Sequence, residues 1–557
     1  MGTVAAVADR YVPEWASLNP IGATYAGIAG HDDAVTDLSP DGYAARADLD
    51  RRTLAALASV SPGNERERVA REAMVERLTI EVELFDAGHT ASEVNVIASA
   101  LHSLRGAFDL MPTGGDEAAE LLVARLGQVP AALGQWRETL LDATDRGHVA
   151  ARQQILEVAG HCEAWADPDT DDVFPSLARR ASRDVDQPLR IALERAARAA
   201  AEATAATGRF LRHELAARGR TNPACGRDRY QLASRYFLGA VVDLDEAYAW
   251  GFEELGRIET EMRAVAGQIV PGGTVDAAVA ALDADPGRAI GDTAAFRTWM
   301  QSLADRTIAD LHGTHFDIPE PVRRIECMIA PTSDGTIYYT APSEDFSRPG
   351  RMWWAVPQAA TAFSTWREVA TVYHEGVPGH HLQIGTAMTS GDRLNRWQRL
   401  LCWCSGHGEG WALYAERLMD ELGYFSDPGD RLGLLDAQSL RAARVIVDLG
   451  LHLELRIPRH TPQGFCPGER WTPELAWTFL RAHTRLPEKL LRFELNRYLG
   501  WPGQAPSYKI GERLWLRARE STRARQGAAF DLRAFHRDAL ALGSLGLGPL
   551  AEALSRL

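Results

Sequence analysis

The sequence predicts a mainly α fold with one small antiparallel β-sheet set immediately before a helix that bears an unusual histidine motif. Three observations support this. Long stretches are rich in Ala, Leu, Glu and Arg, the strong helix formers. One region, residues 323–356, gathers short β-branched and aromatic runs divided by turn-forming residues. Directly after it stands "TVYHEGVPGHHLQ", residues 371–383, where His374 and Glu375 begin an H-E-x-x-H pattern that Pro378 interrupts.

Residues 187–219 carry Pro188 near their start and Gly219 near their end, the asymmetry expected of a helix. Residues 244–269 repeat the helical composition, with Asp243 or Asp245 as the cap. The acidic, proline-containing stretch 165–176 reads as a surface loop. "RGRTNPACGRD", residues 218–228, is the best boundary, dividing a helical region 1–220 from a second region 221–557. In the latter, "RRIECMIA", "GTIYYTA" and "RMWWAV", separated by Ser-Asp-Gly and Arg-Pro-Gly turns, predict an antiparallel meander. Helices over 363–390 and 408–423 follow it.

Composition narrows the function classes. With 46% hydrophobic and 24% charged residues, and 15 tryptophans for a large core, the 557-residue chain is ordinary for a soluble globular protein. A formal charge of -15 argues against a nucleic-acid-binding surface, which needs clustered Lys and Arg. The amino terminus lacks a basic n-region, so no signal peptide is expected, and no apolar run reaches membrane-spanning length. Six cysteines are too sparse for a disulfide framework, and reduced thiols in the cytoplasm are the simple expectation.

The motif is where the chemistry lies. In "TAFSTWREVATVYHE", Phe363, Trp366, Ala370, Tyr373 and Val377 fall at helical spacing on one face. In H-E-x-x-H, histidines four apart reach one zinc and the Glu activates water. Pro378 cannot bind metal. On a straight helix His381 would lie about 10.5 Å further along the axis than His374, too far to share an ion. Proline and glycine make a straight helix implausible here. If Pro378 and Gly379 extrude two residues as a bulge, His380 moves into the second ligand's slot, which favours it over His381.

"HEGVPGHHLQ" resembles the signature of the bacterial domain-of-unknown-function family 885, whose members look like gluzincin-type zinc metallopeptidases. Further elements are similar to the family's in order: 19–39, "APSEDFSRPG" (341–350), "GEGWALYAERLMDELGYFSDP" (408–428), "RAARVIVDLGLH" (441–452) and "ELNRYLGWPGQAPSYKIG" (494–511). The resemblance implies a large, two-lobed helical metallopeptidase-like fold, and one Zn2+ per chain held by His374, His380 and Glu409. Glu416, two turns after Glu409, would steady a ligand. Glu375 would take the proton of the attacking water and pass it to the leaving nitrogen. Tyr508, with His452 as the alternative, would donate to the developing oxyanion. Arg348, Arg497 and Lys509 are candidates for holding a substrate carboxylate. His381 is a substrate-side group or the alternative ligand.

Cys402, Cys404 and His407 suggest a thiolate site, but the usual four-ligand cluster is absent and core cysteines are the better reading. The glycine-rich 541–548 reads as a loop ending a helix. Arg444, Asp448 and His452, spaced by four, suggest a structural ion-pair network. The expected function is therefore a cytoplasmic zinc-dependent hydrolase cleaving peptide or related amide bonds. Its partner would be a short peptide or amide-containing small molecule, with no nucleic acid and no membrane. The alternatives are an amide hydrolase for one metabolite, and a metal- or peptide-binding protein without turnover. A His-His-Glu set accepts other divalent ions besides zinc.

Overall fold

The computed structural model describes residues 3–167, 169, 172–330, 337–356, 362–461 and 464–556, and helices dominate it. Contacts divide the chain into two compact units. One holds residues 1–63, 78–224 and 499–501, and the other 64–77, 225–498 and 502–557. The main change from one to the other falls at 224/225, inside the stretch read as a boundary.

The first unit is built around α1, Gln187–Phe210, where the Asp186 carboxylate accepts the Leu189 N–H and Pro188 occupies the first turn. Its buried positions Leu193, Ala197, Ala200, Thr204 and Gly208 recur every three or four residues and are mostly small. Small side chains let neighbours approach: a Cβ on Gly208 would stand 2.8 Å from that of Cys162 in helix Arg152–Ala166. The helix continues through one π turn, Leu211–Leu215, to Arg218, with Gly219 after it, so the element read over 187–219 is present. Trp136, Phe108 and Phe174 fill the surrounding core. The loop read over 165–176 is confined between helices Arg152–Ala166 and Val173–Ala181, and its residues 168, 170 and 171 lie outside the described ones.

In the second unit α2, Leu244–Ile269, is capped by Asp243 rather than Asp245, its carboxylate accepting the N–H groups of Asp245 and Glu246. It packs on the later helix Pro428–His452 so closely that a Cβ on Gly251 would sit 2.9 Å from Ile446 Cγ1. No described helix is long and apolar enough to cross a membrane. The six cysteines form no disulfide.

The sheet corrects the expected antiparallel meander. Strands β1 (Ile325–Ile329), β2 (Ile337–Thr340) and β3 (Gly350–Trp354) lie in the order β1-β3-β2, with β3 parallel to β1 and antiparallel to β2. Cross-strand chemistry accounts for the central place of β3. Arg351 pairs with Glu326 on β1 at 2.8 Å, while Trp353 stacks on Tyr338 and donates Nε1–H to Thr340 on β2 at 2.9 Å. The expected Ser-Asp-Gly turn, 333–335, lies outside the described residues. Phe363, read as part of the next helix, instead forms a two-residue strand with Ser364, pairs with Ala289–Ile290 and stacks on Phe296.

Candidate metal centre

The predicted helix over 363–390 is two helices. α3, Thr365–Glu375, ends at the motif glutamate, and α4, His380–Thr389, begins at the second motif histidine. Backbone hydrogen bonds show how the chain crosses the gap. Gly379 N–H donates to Tyr373 O at 3.0 Å and His381 N–H to Gly376 O at 3.1 Å; by Gln383 N–H to Gly379 O the ordinary helical step has returned. The first of these bonds spans six residues instead of four, so two residues are looped out. A Cβ on Gly379 would meet His374 O at 1.9 Å, so this crossing requires glycine. Pro378, with no N–H, leaves no donor stranded. The exposed carbonyls are taken up by α5, Ser405–Glu421: Trp411 Nε1–H donates to Pro378 O at 2.8 Å and is 3.3 Å from Gly379 O.

The loop-out brings the histidines together. The rings of His374 and His380 are 4.8 Å apart, at 89°. Glu409 Oε2 lies 3.3 Å from His374 Nε2 and 3.5 Å from His380 Nε2, and the three ligand atoms are all within 4.8 Å of one another. Ligands about 2 Å from a tetrahedral ion stand about 3.3 Å apart, which the two spacings from Glu409 match. The hydrogen-bond inventory fits as well. Glu409 Oε2 is buried and, despite its two nitrogen neighbours, has no geometrically sound hydrogen bond; Glu375 Oε2 and His380 Nδ1 are buried without partners among the described residues.

Around this trio lies a supporting layer. Glu416, fully buried, accepts His374 Nδ1–H at 2.7 Å, which leaves Nε2 as the nitrogen where a metal would take the place of a proton. Glu416 is itself held by Gln438 Nε2–H at 3.1 Å and Arg441 at 3.5 Å, both on α6, Pro428–His452. Burial opposes protonation of His374, but Glu409 and Glu416 outweigh it and raise its pKa to about 9. Glu409 is held well below the usual carboxylate range: its burial is overcome by the two imidazoles. Glu375 moves the other way, raised chiefly by burial against the pull of His380 and His374.

Tyr508 opens α8, Ser507–Gln526, preceded in the chain by α7, Glu488–Gly500. α5 and α8 cross backbone to backbone, since a Cβ on Gly410 would meet Gly511 Cα at 2.6 Å. That crossing sets Tyr508 near Glu409, whose carboxylate, after burial, raises the phenol pKa while Arg497 and Arg444 oppose it.

Other candidates sit elsewhere or are already engaged. His381 is 1% exposed; its Nε2–H donates to Val322 O at 2.8 Å and its Nδ1 accepts from Tyr339 Oη at 2.9 Å, so neither nitrogen serves a metal or substrate. His452 pairs with Tyr498 O at 2.8 Å and packs on Tyr230, and it is a core residue, not an oxyanion donor. Lys509 is buried among Gln438, Glu512 and Glu254, with no donor left for a substrate carboxylate. Arg348 is half-buried and has no ion-pair partner among the described residues. The expected Arg444–Asp448–His452 network does not form, because Asp448 turns to Tyr230 and Gly503 and Arg444 to Glu494.

Cys402 and Cys404 donate to the carbonyls of Ser544 and Phe237, and His407 Nδ1 accepts from Gln383, so no thiolate cluster exists. Gln438, Arg441 and Tyr339 escaped the sequence reading. Polar residues spaced along the otherwise buried α6 were the signal available for the first two.

Residues 20–554 match the profile of a bacterial protein family of unknown function, DUF885. The chain belongs to that family. This DUF885 chain is similar to the structure titled "The crystal structure of the putative lipoprotein from Colwellia psychrerythraea", at 22% identity over 99% of this chain and 98% of that one, with a TM-score of 0.85. It is also similar to a structure titled as a putative lipoprotein of unknown function from Shewanella oneidensis, at 17% identity over all of both chains, with a TM-score of 0.73. At these identities the likeness is one of fold. No curated protein matches the DUF885 chain.

Proposed function

We propose that this DUF885 protein is a zinc-dependent hydrolase of gluzincin type that cleaves peptide or related amide bonds in small substrates. The observation carrying the reading is the convergence of His374 Nε2, His380 Nε2 and Glu409 Oε2 beside the buried, partnerless Glu375 Oε2. A bound zinc ion would supply a Lewis acid that polarises a carbonyl and acidifies water.

The residues of the chain divide the remaining work. His374, His380 and Glu409 would hold the ion, and Glu416 fixes the tautomer of His374. Glu375 is not needed as a ligand, and its burial raises its proton affinity, which suits a group that accepts a proton from water and gives it to the departing amine. Tyr508 is the candidate donor to the carbonyl oxygen as charge develops there.

We place the activity in the cytoplasm on the reduced cysteines. The lipoprotein titles of the two structural neighbours make an envelope surface the competing placement, and fractionation of cells expressing the full chain separates the two.

Glu375→Gln tests the reading. Gln keeps size and hydrogen bonding but cannot take a proton at neutral pH. Hydrolysis of a panel of dipeptides, tripeptides and acylated amino acids should fall roughly a hundredfold to ten-thousandfold, with zinc content unchanged. Zinc loss in that variant would make Glu375 a ligand. A wild type that cleaves nothing on the panel but binds peptides as the variant does would make the protein a binder.

A further inference from the structure

Helices α6 and α7 bury two guanidinium groups against a single carboxylate. Arg444 reaches Glu494 Oε2 with Nε at 3.1 Å and Nη2 at 2.6 Å, and its Nε also lies 2.9 Å from Tyr498 Oη. Arg497 reaches the same Glu494 oxygen with Nη2 at 3.2 Å, and Tyr498 donates to it at 2.5 Å. One oxygen thus serves two cations and a phenol. Among the described residues no second carboxylate pairs with either arginine.

Only Asp448, whose pKa burial raises to about 7, lies near enough to Arg497 to offset the second cation, so the group holds up to one positive charge in excess, and it is buried: Arg444 is 8% and Arg497 7% exposed. Arg497 Nε has no hydrogen-bond partner among the described residues. An unspent guanidinium donor away from water is costly, but Arg105, Arg399, Arg431 and Arg441 also keep such an Nε in ion pairs elsewhere. What distinguishes this pair is its shared carboxylate together with its position. The Arg444 guanidinium lies over the Tyr508 ring, 4.9 Å from its centre, and Tyr508 stands on the turn of α8 that precedes the Gly410–Gly511 crossing beside Glu409. The excess charge is one aromatic ring away from the ligand trio. Lys509, one residue on, has its ammonium saturated by three acceptors and cannot take this role.

We infer that the Arg444–Arg497 pair receives a free carboxylate of the substrate, narrowing the substrates to amides that carry a carboxylate beside the bond to be cut, namely peptides cut near their C-terminus or acylated amino acids. This rests on the hydrolase reading above. A carboxylate would balance the two guanidinium groups with two anions and give Arg497 Nε–H an acceptor, in the forked geometry that arginine favours. Hydrolysis would add water across the C–N bond, OH to the acyl carbon and H to the nitrogen, so the amine product would keep the carboxylate held by the arginines. A substrate ending in a neutral amide would leave the charge and the donor unanswered.

The test is binding without turnover. Zinc-loaded Glu375→Gln protein is equilibrated with a mixture of dipeptides spanning all side chains, offered as free acids and, separately, as C-terminal amides, and retained species are quantified by mass spectrometry. A hydrogen bond to a charged group is worth roughly a tenfold to hundredfold in affinity, so acids should be retained at least about tenfold over amides. The preference should vanish when Arg497→Gln is added and return in part with Arg497→Lys. If the Gln variant does not fold, the acid-to-amide ratio in the parent and the Lys variant decides. Equal retention of acids and amides, or a preference that survives Arg497→Gln, overturns the inference. Wild type that cleaves amidated dipeptides as fast as acids overturns it and leaves the hydrolase reading standing. If neither mixture is bound or cleaved, the hydrolase reading falls and this inference with it.

Discussion

Lys509 is a buried charge and Glu409 a largely buried one, both on elements that build the second unit, yet their surroundings differ in one respect. The Lys509 ammonium meets three acceptors, Gln438, Glu512 and Glu254, and all its donors are used. Glu409 Oε2 meets two imidazole nitrogens at 3.3 and 3.5 Å and makes a sound hydrogen bond with neither. Burying charge is costly in both places. The first cluster answers that cost within itself and acts as structure. The second leaves lone pairs aimed at one point, the condition a cation relieves.

Four tests press on this contrast. The largest effect is expected at His380→Ala, which should cut zinc from about one per chain to a trace by elemental analysis, while His381→Ala keeps it. Retention in the first and loss in the second would reassign the ligand. Lys509→Met should leave Glu512 with only Arg417 at 3.8 Å, while Glu254 keeps Arg257, and lower stability by about 3–5 kcal/mol, read as a shift in the urea midpoint. An unshifted midpoint would remove the claim that this cluster is structural. Tyr508→Phe should fold and load metal normally but turn over about a hundredfold to a thousandfold more slowly. Wild-type rates there would return Tyr508 to packing. The smallest effect belongs to Glu416→Gln, where losing the anchor on His374 should weaken metal binding roughly tenfold to a hundredfold. Competition with a zinc-binding dye measures it, and unaltered affinity would mean that Gln438 and Arg441 orient His374 without the carboxylate.

The helices and the pairing of His374 with His380 were legible because their causes are local, whereas Glu409 was reached only through the family resemblance. Proline and glycine at 378 and 379 announce a loop-out, and counting past two extruded residues selects His380 over His381. The sheet order was not legible, since β3 takes the centre only through partners on both sides, Glu326 on one and Tyr338 and Thr340 on the other. Nor could sequence separate Arg497 from Lys509. Both are cations in one stretch of helix and turn, and only the count of acceptors around each tells a saturated charge from an unsaturated one. His452 misled for the same reason: its spacing from Arg444 fits a helical face, but its partner, Tyr498 O, lies on another helix.

The six-residue hydrogen bond from Gly379 to Tyr373 separates distance along the chain from distance in space. Inserting two residues ordinarily rotates everything downstream on a helix by more than half a turn and disperses a side-chain cluster. Here the inserted pair is parked outside the ladder, its carbonyls tied by an indole from the neighbouring helix, and the downstream histidine arrives at the bearing it would have had without the insertion. Spelling and geometry can therefore evolve independently at such a site. A grammar that counts hydrogen-bonded steps, rather than letters, would group this motif with its four-spaced counterparts and would find others that a fixed-gap pattern passes over.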